Sequence, residues 1–209
     1  VVICTDYTCI PFWEETHCDA YILPHEDLLP EYAARGMETS ALYPFGIPVD
    51  ARFAVKKDKA AARRELGLRD LPGHLVIGGS MGFGGVRQLV AVCGSNESMR
   101  RMLESEFSGN PRVHIVGFTD RVSDYMDACD VVYTKPGGLT STEALVKNIP
   151  IVHTEPIPGC ETRNRAFFAS HGLSLPADGA KHQAQAGQKL LHDERLRADM
   201  IAHQKRCAH

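Results

Sequence analysis

The chain has 209 residues, of which 44% are hydrophobic and 23% charged, and these ordinary values argue against a disordered, collagen-like or coiled-coil protein. Its 23 basic and 26 acidic residues give a formal net charge of −3. Since it contains no long basic tract, nucleic acid is not expected as a partner. No apolar stretch is long enough to span a membrane and no signal-peptide pattern opens the chain, so we expect a cytoplasmic protein, at most peripheral on the inner face of the cell membrane.

Short apolar runs alternate with amphipathic stretches along most of the chain. This alternation predicts an α/β fold, a Rossmann-like, doubly wound parallel sheet that binds ligands at the carboxyl ends of its strands. Predicted strands cover residues 1–4, 21–23, 41–45, 74–78, 89–93, 113–116, 131–133 and 151–152. Predicted helices cover residues 26–35, 57–66, 97–107, 121–128, 140–147, 161–170, 180–191 and 193–206.

The domain organisation is inferred from the start of the chain and from one internal boundary. Residues 1–4 already have the continuous apolar character of a buried parallel strand, so we expect the sequence to begin part-way through a domain. The run Gly46-Ile47-Pro48-Val49 precedes a strongly charged helix. We therefore predict that residues 1–45 end an N-terminal domain and that residues 46–209 form a second domain.

The seven cysteines form an odd set without a C-x-x-C pair, and several lie in apolar runs. They are expected to be reduced core residues, and no metal site is predicted. His17, His25 and His153 lie near strand ends, but an isolated histidine is more often structural than catalytic, so they are not included in the predicted site.

A glycine-rich run follows the predicted strand at residues 74–78. Its glycines would free backbone N–H groups for phosphate oxygens and a serine would add a hydroxyl donor, although a simple turn would explain them as well. Few residues separate this run from the strand-like stretch that follows, and a parallel crossover usually needs a dozen or more. Either a helix is missing, or residues 86–92 are not a strand. The candidate phosphate contacts are Gly79, Ser80, Met81 and Gly82.

A second turn joins the strand at residues 131–133 to a helix rich in hydroxyl side chains. A helix N-terminus at a strand end is a ready anion site. Thr140-x-x-Glu143 also fits a capping box, so Glu143 is either a cap or an acceptor for ribose hydroxyls. The candidate anion-binding residues are Lys135, Pro136, Gly137, Gly138, Leu139 and Thr140.

Two further strand ends carry candidate side chains. Glu161 and Asn164 lie three residues apart at a helix start, where they could hold sugar hydroxyls or simply face solvent. Phe118, followed by Thr119, comes after the strand at residues 113–116, where an aromatic ring could bracket a base or belong to the core.

Taken together, these motifs resemble glycosyltransferase family 28, and within it the branch of processive diacylglycerol glucosyltransferases and monogalactosyldiacylglycerol synthases. The Lys-Pro-Gly-Gly and Pro-Ile-Pro-Gly segments are its most specific part. The matching stretches are Thr5-Asp6-Tyr7, Gly46-Ile47-Pro48-Val49, Gly79-Ser80-Met81-Gly82-Phe83-Gly84, Gly117-Phe118-Thr119, Thr134-Lys135-Pro136-Gly137-Gly138-Leu139-Thr140-Ser141-Thr142-Glu143-Ala144 and Pro156-Ile157-Pro158-Gly159-Cys160-Glu161.

The resemblance implies a GT-B architecture in which the C-terminal domain holds a UDP-sugar, a co-substrate rather than a cofactor. By matching motif, Phe118 and Thr119 would hold uracil and Glu143 the ribose. Ser80 and the turn from Gly137 would hold the diphosphate, and Glu161 and Asn164 would reach the ribose or hexose.

The resemblance also implies an inverting, metal-independent transfer of a hexose to a lipid acceptor such as diacylglycerol. The family's base and acceptor loop are expected upstream of residue 1, and Asp6 is the candidate catalytic residue within the chain. Association with a membrane surface would follow from the lipid acceptor. The alternatives are a UDP-GlcNAc transferase of peptidoglycan lipid-intermediate synthesis, a UDP-sugar 2-epimerase, and a non-catalytic UDP-sugar-binding module.

Overall fold

The computed structural model describes residues 1–77 and 87–207. Within these residues the chain forms two parallel sheets, one of three short strands and one of six. The strands of the small sheet are β1 (Val2–Ile3), β2 (Tyr21–Ile22) and β3 (Leu42–Tyr43). Those of the large sheet are β4 (Gly73–Ile77), β5 (Gln88–Val92), β6 (Val113–Val116), β7 (Val131–Thr134), β8 (Ile151–His153) and β9 (Leu175–Pro176).

Helices connect the strands in the order that the sequence predicts. The α-helices are α1 (Leu29–Ala34), α2 (Ala51–Ala54), α3 (Lys59–Glu65), α4 (Glu97–Glu106), α5 (Val122–Ala128), α6 (Gly138–Lys147), α7 (Cys160–Ser170), α8 (Gly179–His192) and α9 (Glu194–Cys207). Short 3-10 helices cover Trp13–Glu15, Glu26–Leu28 and Thr39–Ala41. Strand β9 and helix α2 were not among the predicted elements.

The large sheet has the order β6-β5-β4-β7-β8-β9, and every pairing is parallel. The chain adds β5 and β6 on one side of β4 and then crosses to add β7, β8 and β9 on the other side. This reversal makes the gap between β4 and β7 the switch point of the sheet. In open α/β sheets, ligands bind in the crevice at the carboxyl ends of the strands beside such a point.

Alternating side chains of the large sheet enter two different hydrophobic clusters. Leu75 and Val132 pack with helices on one face, whereas Val76, Val131 and Tyr133 pack on the other. Successive side chains of a strand point to opposite faces. Both faces are therefore covered, which confirms the doubly wound α/β fold and explains why the strands are continuously apolar.

One of the two readings of the stretch after β4 is wrong. Residues 88–92 do form a strand, and β5 pairs with β4 in parallel register from Gly73 opposite Gln88 to Ile77 opposite Val92. Most of the connection, at residues 78–86, lies outside the described residues. The proposed phosphate contacts at Gly79, Ser80, Met81 and Gly82 therefore also lie outside them.

The predicted boundary at residues 45 and 46 separates the two sheets along the sequence but stays a prediction. One hydrophobic cluster contains side chains from both sides of it, including Cys4, Leu23 and Tyr32 from the N-terminal part and Leu145 and Phe168 from the rest. The two sheets therefore share a core. None of the described helices has the length and apolar character required to cross a bilayer.

Candidate functional site

The carboxyl ends of the large-sheet strands, called here the carboxyl edge, bring most of the predicted site residues to one side of the molecule. Phe118 and Thr119 follow β6, residues 135–140 follow β7, and Glu161 and Asn164 lie at the start of α7, after β8. The turn after β7 lies next to the switch point. The edge therefore has the position at which this fold binds ligands.

The N-terminus of α6 offers unpaired donors at this edge. Gly137 is its N-cap residue and has no side chain to cap it. Within the described residues, no hydrogen bond is formed by the N–H groups of Gly138, Leu139 and Thr140, nor by the ammonium group of Lys135. Free N–H groups, the positive end of the helix dipole and a nearby cation together suit an anion.

The capping-box explanation of Glu143 is wrong. Helix α6 begins at Gly138, two residues before the predicted start, so Thr140 lies inside its first turn and is not the N-cap. The Glu143 carboxyl is half-buried and has no hydrogen-bond partner among the described residues. Burial raises its pKa, and the negative charge of Asp50 adds to the effect. A half-buried carboxyl without a partner is available to accept hydrogen bonds from a ligand.

Residue 138 must be a glycine because the N-terminal segment packs directly against it. A Cβ atom at this position would overlap the carbonyl oxygen of Thr5 and crowd the Cα atom of Asp6. At Gly137, by contrast, no atom of the described residues outside its immediate neighbours lies within 4 Å of an added Cβ. The second glycine of the Lys-Pro-Gly-Gly motif thus lets residues 5 and 6 pack directly on the turn before α6.

Asn164 fastens the same two segments together. Its Oδ1 accepts a hydrogen bond of 2.7 Å from the N–H of Tyr7. Its Nδ2 donates to Asp6 Oδ1 at 2.7 Å and to the carbonyl oxygen of Pro136 at 3.0 Å. Both amide hydrogens are used and the residue has no exposed surface. Asn164 therefore bridges the protein's own segments and does not face solvent, whereas its contact with a sugar stays a prediction.

Tyr7, a residue that the sequence analysis did not single out, adds a second connection to α6. Its hydroxyl lies 2.9 Å from Thr142 Oγ1, which itself donates to the carbonyl oxygen of Gly138 at 2.7 Å. The ring packs edge-on against Phe168, with centroids 4.9 Å apart. These contacts hold the first turn of α6, and the Asp6 carboxylate beside it, in a defined position.

His153 supports α6 from beneath and does not face the edge. Its Nε2 lies 3.0 Å from Ser141 Oγ and its Nδ1 lies 3.0 Å from Ser174 Oγ. The ring is fully buried. Burial, with a smaller contribution from Arg165, lowers its pKa to about 3. A neutral ring bonded at both nitrogens has a structural role.

Phe118 and Glu161 occupy different environments at the edge. The Phe118 side chain is 83% exposed and belongs to no described hydrophobic cluster, so the core reading of this residue is wrong. Three strand spacings of about 4.8 Å each separate β6, which Phe118 follows, from β7, which the α6 turn follows. Glu161 uses one oxygen, Oε2, to accept from the N–H of Ile157 at 2.7 Å and so braces its own loop.

Two family models match different parts of the chain. A model described as Monogalactosyldiacylglycerol (MGDG) synthase matches residues 1–49. A model described as Glycosyl transferases group 1 matches residues 76–206, well over half of the chain. The chain belongs to the group 1 glycosyl transferases. Its expected resemblance to diacylglycerol glucosyltransferases and MGDG synthases is also confirmed.

The relatives of this glycosyltransferase chain are longer proteins. Processive diacylglycerol beta-glucosyltransferase of Staphylococcus saprophyticus is 32% identical over 191 residues, a match that covers 84% of this chain and 49% of the relative. The chain spans about half the length of the curated relatives it matches.

Solved structures confirm the GT-B, Rossmann-like fold. Anabaena Alr3699/HepE in complex with UDP-glucose matches with a TM-score of 0.62 and 14% identity, over 91% of this chain and 59% of that one. A UDP-N-acetylglucosamine 2-epimerase matches with a TM-score of 0.65 and 14% identity, over 91% of this chain and 56% of that one. At this identity the two structures show the fold alone.

Proposed function

We propose that the carboxyl edge binds a UDP-sugar and that the chain is the donor-binding part of an inverting glycosyltransferase, which transfers a hexose to a lipid acceptor such as diacylglycerol. The observation that carries this proposal is the uncapped N-terminus of α6 beside the switch point of the sheet. The name of the staphylococcal relative supports the lipid acceptor. One family-model match ends at residue 49, close to the predicted boundary at residues 45 and 46, and the other begins at residue 76, which supports a division in this region.

The geometry of the edge suits an elongated ligand with a charged centre. The diphosphate would lie on the free N–H groups from Gly138 to Thr140, with Lys135 neutralising charge. The ribose hydroxyls would donate to Glu143. The uracil would stack on the exposed ring of Phe118, with Thr119 beside it. Gly79, Ser80, Met81 and Gly82 stay proposed phosphate contacts.

The proposed transfer forms a bond between the acceptor oxygen and the anomeric carbon and breaks the bond from that carbon to UDP. A base takes the acceptor proton, and UDP leaves with both electrons of the broken bond. Donors fixed in advance at the α6 terminus would stabilise the negative charge on departing UDP, without a need for a metal. Asp6 is the proposed catalytic residue within this chain, since Asn164 holds its carboxylate against the α6 turn.

Glu161 and Asn164 fit supporting positions in this proposal. Glu161 has one oxygen left for a sugar hydroxyl, because only Oε2 bonds to the loop. Asn164 is proposed to position Asp6 and the α6 turn. A lipid acceptor would bring the protein to a membrane surface, so we also propose a peripheral location on the inner face of the cell membrane.

The first test is calorimetric titration of the full chain with UDP, followed by UDP-glucose, UDP-galactose and UDP-GlcNAc. We expect saturable binding of UDP, weakened at least about tenfold by Glu143→Ala, because a charge-accepted hydrogen bond contributes about 1.5–3 kcal/mol. Glu194→Ala, at an exposed position in α9, is the matched control and should bind as the wild type does. A folded chain that binds no UDP would contradict the proposal.

The ranking of the sugars separates the alternatives. Preference for UDP-glucose or UDP-galactose would favour glycolipid synthesis. Preference for UDP-GlcNAc would favour the peptidoglycan or epimerase alternatives, and conversion of UDP-GlcNAc to its C2 epimer without an acceptor would identify an epimerase. Equal affinity for UDP and all three sugars would favour a non-catalytic module.

A further inference from the structure

The loop that follows β6 has few connections to the rest of the molecule. Residues 117–120 include Phe118 and Thr119, the proposed contacts of the uracil base. The backbone N–H groups of this loop form no hydrogen bond within the described residues, and the Phe118 ring is 83% exposed. Since the ring has no packing of its own, its position depends on whatever holds the loop backbone.

Arg52 connects this loop to helix α2. Its Nη1 donates a hydrogen bond of 2.7 Å to the carbonyl oxygen of Asp120 and lies 3.8 Å from the carboxylate of the same residue. Thr119 bonds only to the backbone N–H of its near neighbour Arg121. Across the part of the chain that the structure describes, no other hydrogen bond or ion pair joins residues 117–120 to a distant segment.

The Arg52 side chain is itself held in one orientation. Asp50, the N-cap residue of α2, accepts from Arg52 Nε and from Arg52 Nη2, each at 3.0 Å. A two-pronged pair of this kind fixes the plane of the guanidinium group. The buried Ser123 hydroxyl donates to the carbonyl oxygen of Arg52 at 2.8 Å, and Phe53 packs in the core. The guanidinium group therefore reaches the loop from a fixed backbone.

The Asp50–Arg52 pair also lies near the proposed ribose contact. The negative charge of Asp50 contributes to the raised pKa of Glu143, so these two carboxyl groups are close enough to interact. The motif Gly46-Ile47-Pro48-Val49 leads directly into Asp50. The segment that served in the sequence only to mark a domain boundary thus links the surroundings of Glu143 to the loop that carries Phe118.

We propose that Arg52 is a positioning residue for the uracil base, because it holds the loop at residues 117–120 where the Phe118 ring can stack on the base. This role rests on the proposed binding of UDP at the carboxyl edge. A ring that is fixed before binding avoids the entropy cost of ordering it in the complex. Loss of the Arg52 contact should therefore weaken binding although no contact to the ligand is removed.

The test is a double-mutant cycle on the full chain, with the affinity for UDP measured by calorimetric titration. Phe118→Ala should weaken binding at least about fivefold, because it removes the stacking of the base on the ring. Arg52→Ala should weaken it at least about threefold, because the ring must then be ordered on binding. If Arg52 acts through the loop, adding Arg52→Ala to Phe118→Ala should cause a further loss of less than about twofold.

Thermal unfolding separates this role from a general effect on the fold. Exposed ion pairs contribute little to stability, so Arg52→Ala and Phe118→Ala should keep the wild-type Tm. Arg195→Ala is the matched control, since Arg195 lies in an exposed pair with Asp199 in α9. This variant should keep both the wild-type Tm and the wild-type affinity for UDP.

Three results would overturn the role of Arg52 while leaving UDP binding intact. Wild-type affinity in Arg52→Ala would show that the loop needs no support from α2, and wild-type affinity in Phe118→Ala would leave the loop no contact to position. Fully additive losses in the double variant would mean that Arg52 acts independently of the ring, through the charge of Asp50. A wild type that binds no UDP would instead contradict the proposed function, and this role with it.

Discussion

Asn164 illustrates how a single buried amide can hold together the segments beside a candidate site. Its partners, the Tyr7 N–H, the Asp6 carboxylate and the Pro136 carbonyl, come from two segments far apart in the sequence. The sequence placed Asn164 at a helix start beside the site. It could not show that the amide is consumed by the protein, because that depends on a contact across 157 residues.

Replacing this amide should destabilise the fold markedly. Asn164→Ala removes three hydrogen bonds and leaves the N–H of Tyr7 and the carbonyl of Pro136 without their partner. We expect a loss of about 3 kcal/mol in the free energy of unfolding, since an unsatisfied buried group costs about 1–3 kcal/mol. For a chain of this size the Tm should fall by about 6–12 °C, measured by calorimetry.

Gln185→Ala is the control for Asn164→Ala. It removes an exposed amide from α8 and should change the free energy of unfolding by no more than about 0.5 kcal/mol. If both variants unfold at the wild-type temperature, the bridge through Asn164 contributes nothing to stability, and its proposed positioning role loses its basis.

At the scale of elements, the sequence predicted a helix after the Pro-Gly-Gly turn but placed its first residue two positions too late. The apolar strand, the Pro-Gly-Gly turn and the hydroxyl-rich helix were sufficient to predict an anion site. The Thr140-x-x-Glu143 pattern suggested a later helix start, because a capping box is a local signal. The helix instead starts at Gly138, where Thr5 approaches closely, a contact that no local pattern records.

Replacement by alanine is expected to destabilise the protein at Gly138 but to have little effect at the adjacent Gly137. Gly138→Ala would drive a Cβ atom into the carbonyl of Thr5 and displace residues 5–7 from the turn. We expect a loss of about 3 kcal/mol in the free energy of unfolding, measured by urea denaturation. Gly137 has φ −72° and ψ 142°, an extended conformation open to any residue. Among the described residues beyond its chain neighbours, no atom lies within 4 Å of an added Cβ.

Gly137→Ala is therefore the matched control, and its free energy of unfolding should change by less than about 1 kcal/mol. Equal stabilities of the two variants would mean that residues 5–7 do not pack on the turn in solution. A loss of stability in Gly137→Ala alone would mean that residues 5–7 pack against Gly137 and not against Gly138.

At the scale of the whole molecule, the alternation of apolar runs and helices was sufficient to predict the sheet, because both faces of each central strand are buried. It could not give the relation between the two sheets. That relation depends on buried polar contacts, such as Tyr7 to Thr142, and on a shared core whose members are distant in sequence. Polar contacts of this kind carry no periodic signal.

Two buried histidines, His74 and His153, make the fold sensitive to acid. Burial lowers the pKa of His74 to about 4 and that of His153 to about 3, against 6.5 for an ordinary histidine. The unfolded chain therefore binds more protons than the folded chain below about pH 6.5, so stability is lost as the pH falls from there toward 4. Each histidine contributes a slope of up to about 1.4 kcal/mol per pH unit.

His74→Phe isolates one of these contributions. His74 stacks on Tyr133 with ring centroids 5.5 Å apart, and its Nδ1 lies 2.9 Å from the Tyr133 hydroxyl. Its buried Nε2 has no hydrogen-bond partner among the described residues. A phenyl ring would keep the apolar packing and remove the group that must be protonated on unfolding. We expect the slope of unfolding free energy against pH, measured by urea denaturation from pH 7 to pH 4.5, to decrease by up to about 1.4 kcal/mol per unit. His182→Phe, at an exposed position, should leave the slope unchanged. An undiminished slope in His74→Phe would show that other groups, chiefly the paired carboxylates, cause the acid sensitivity.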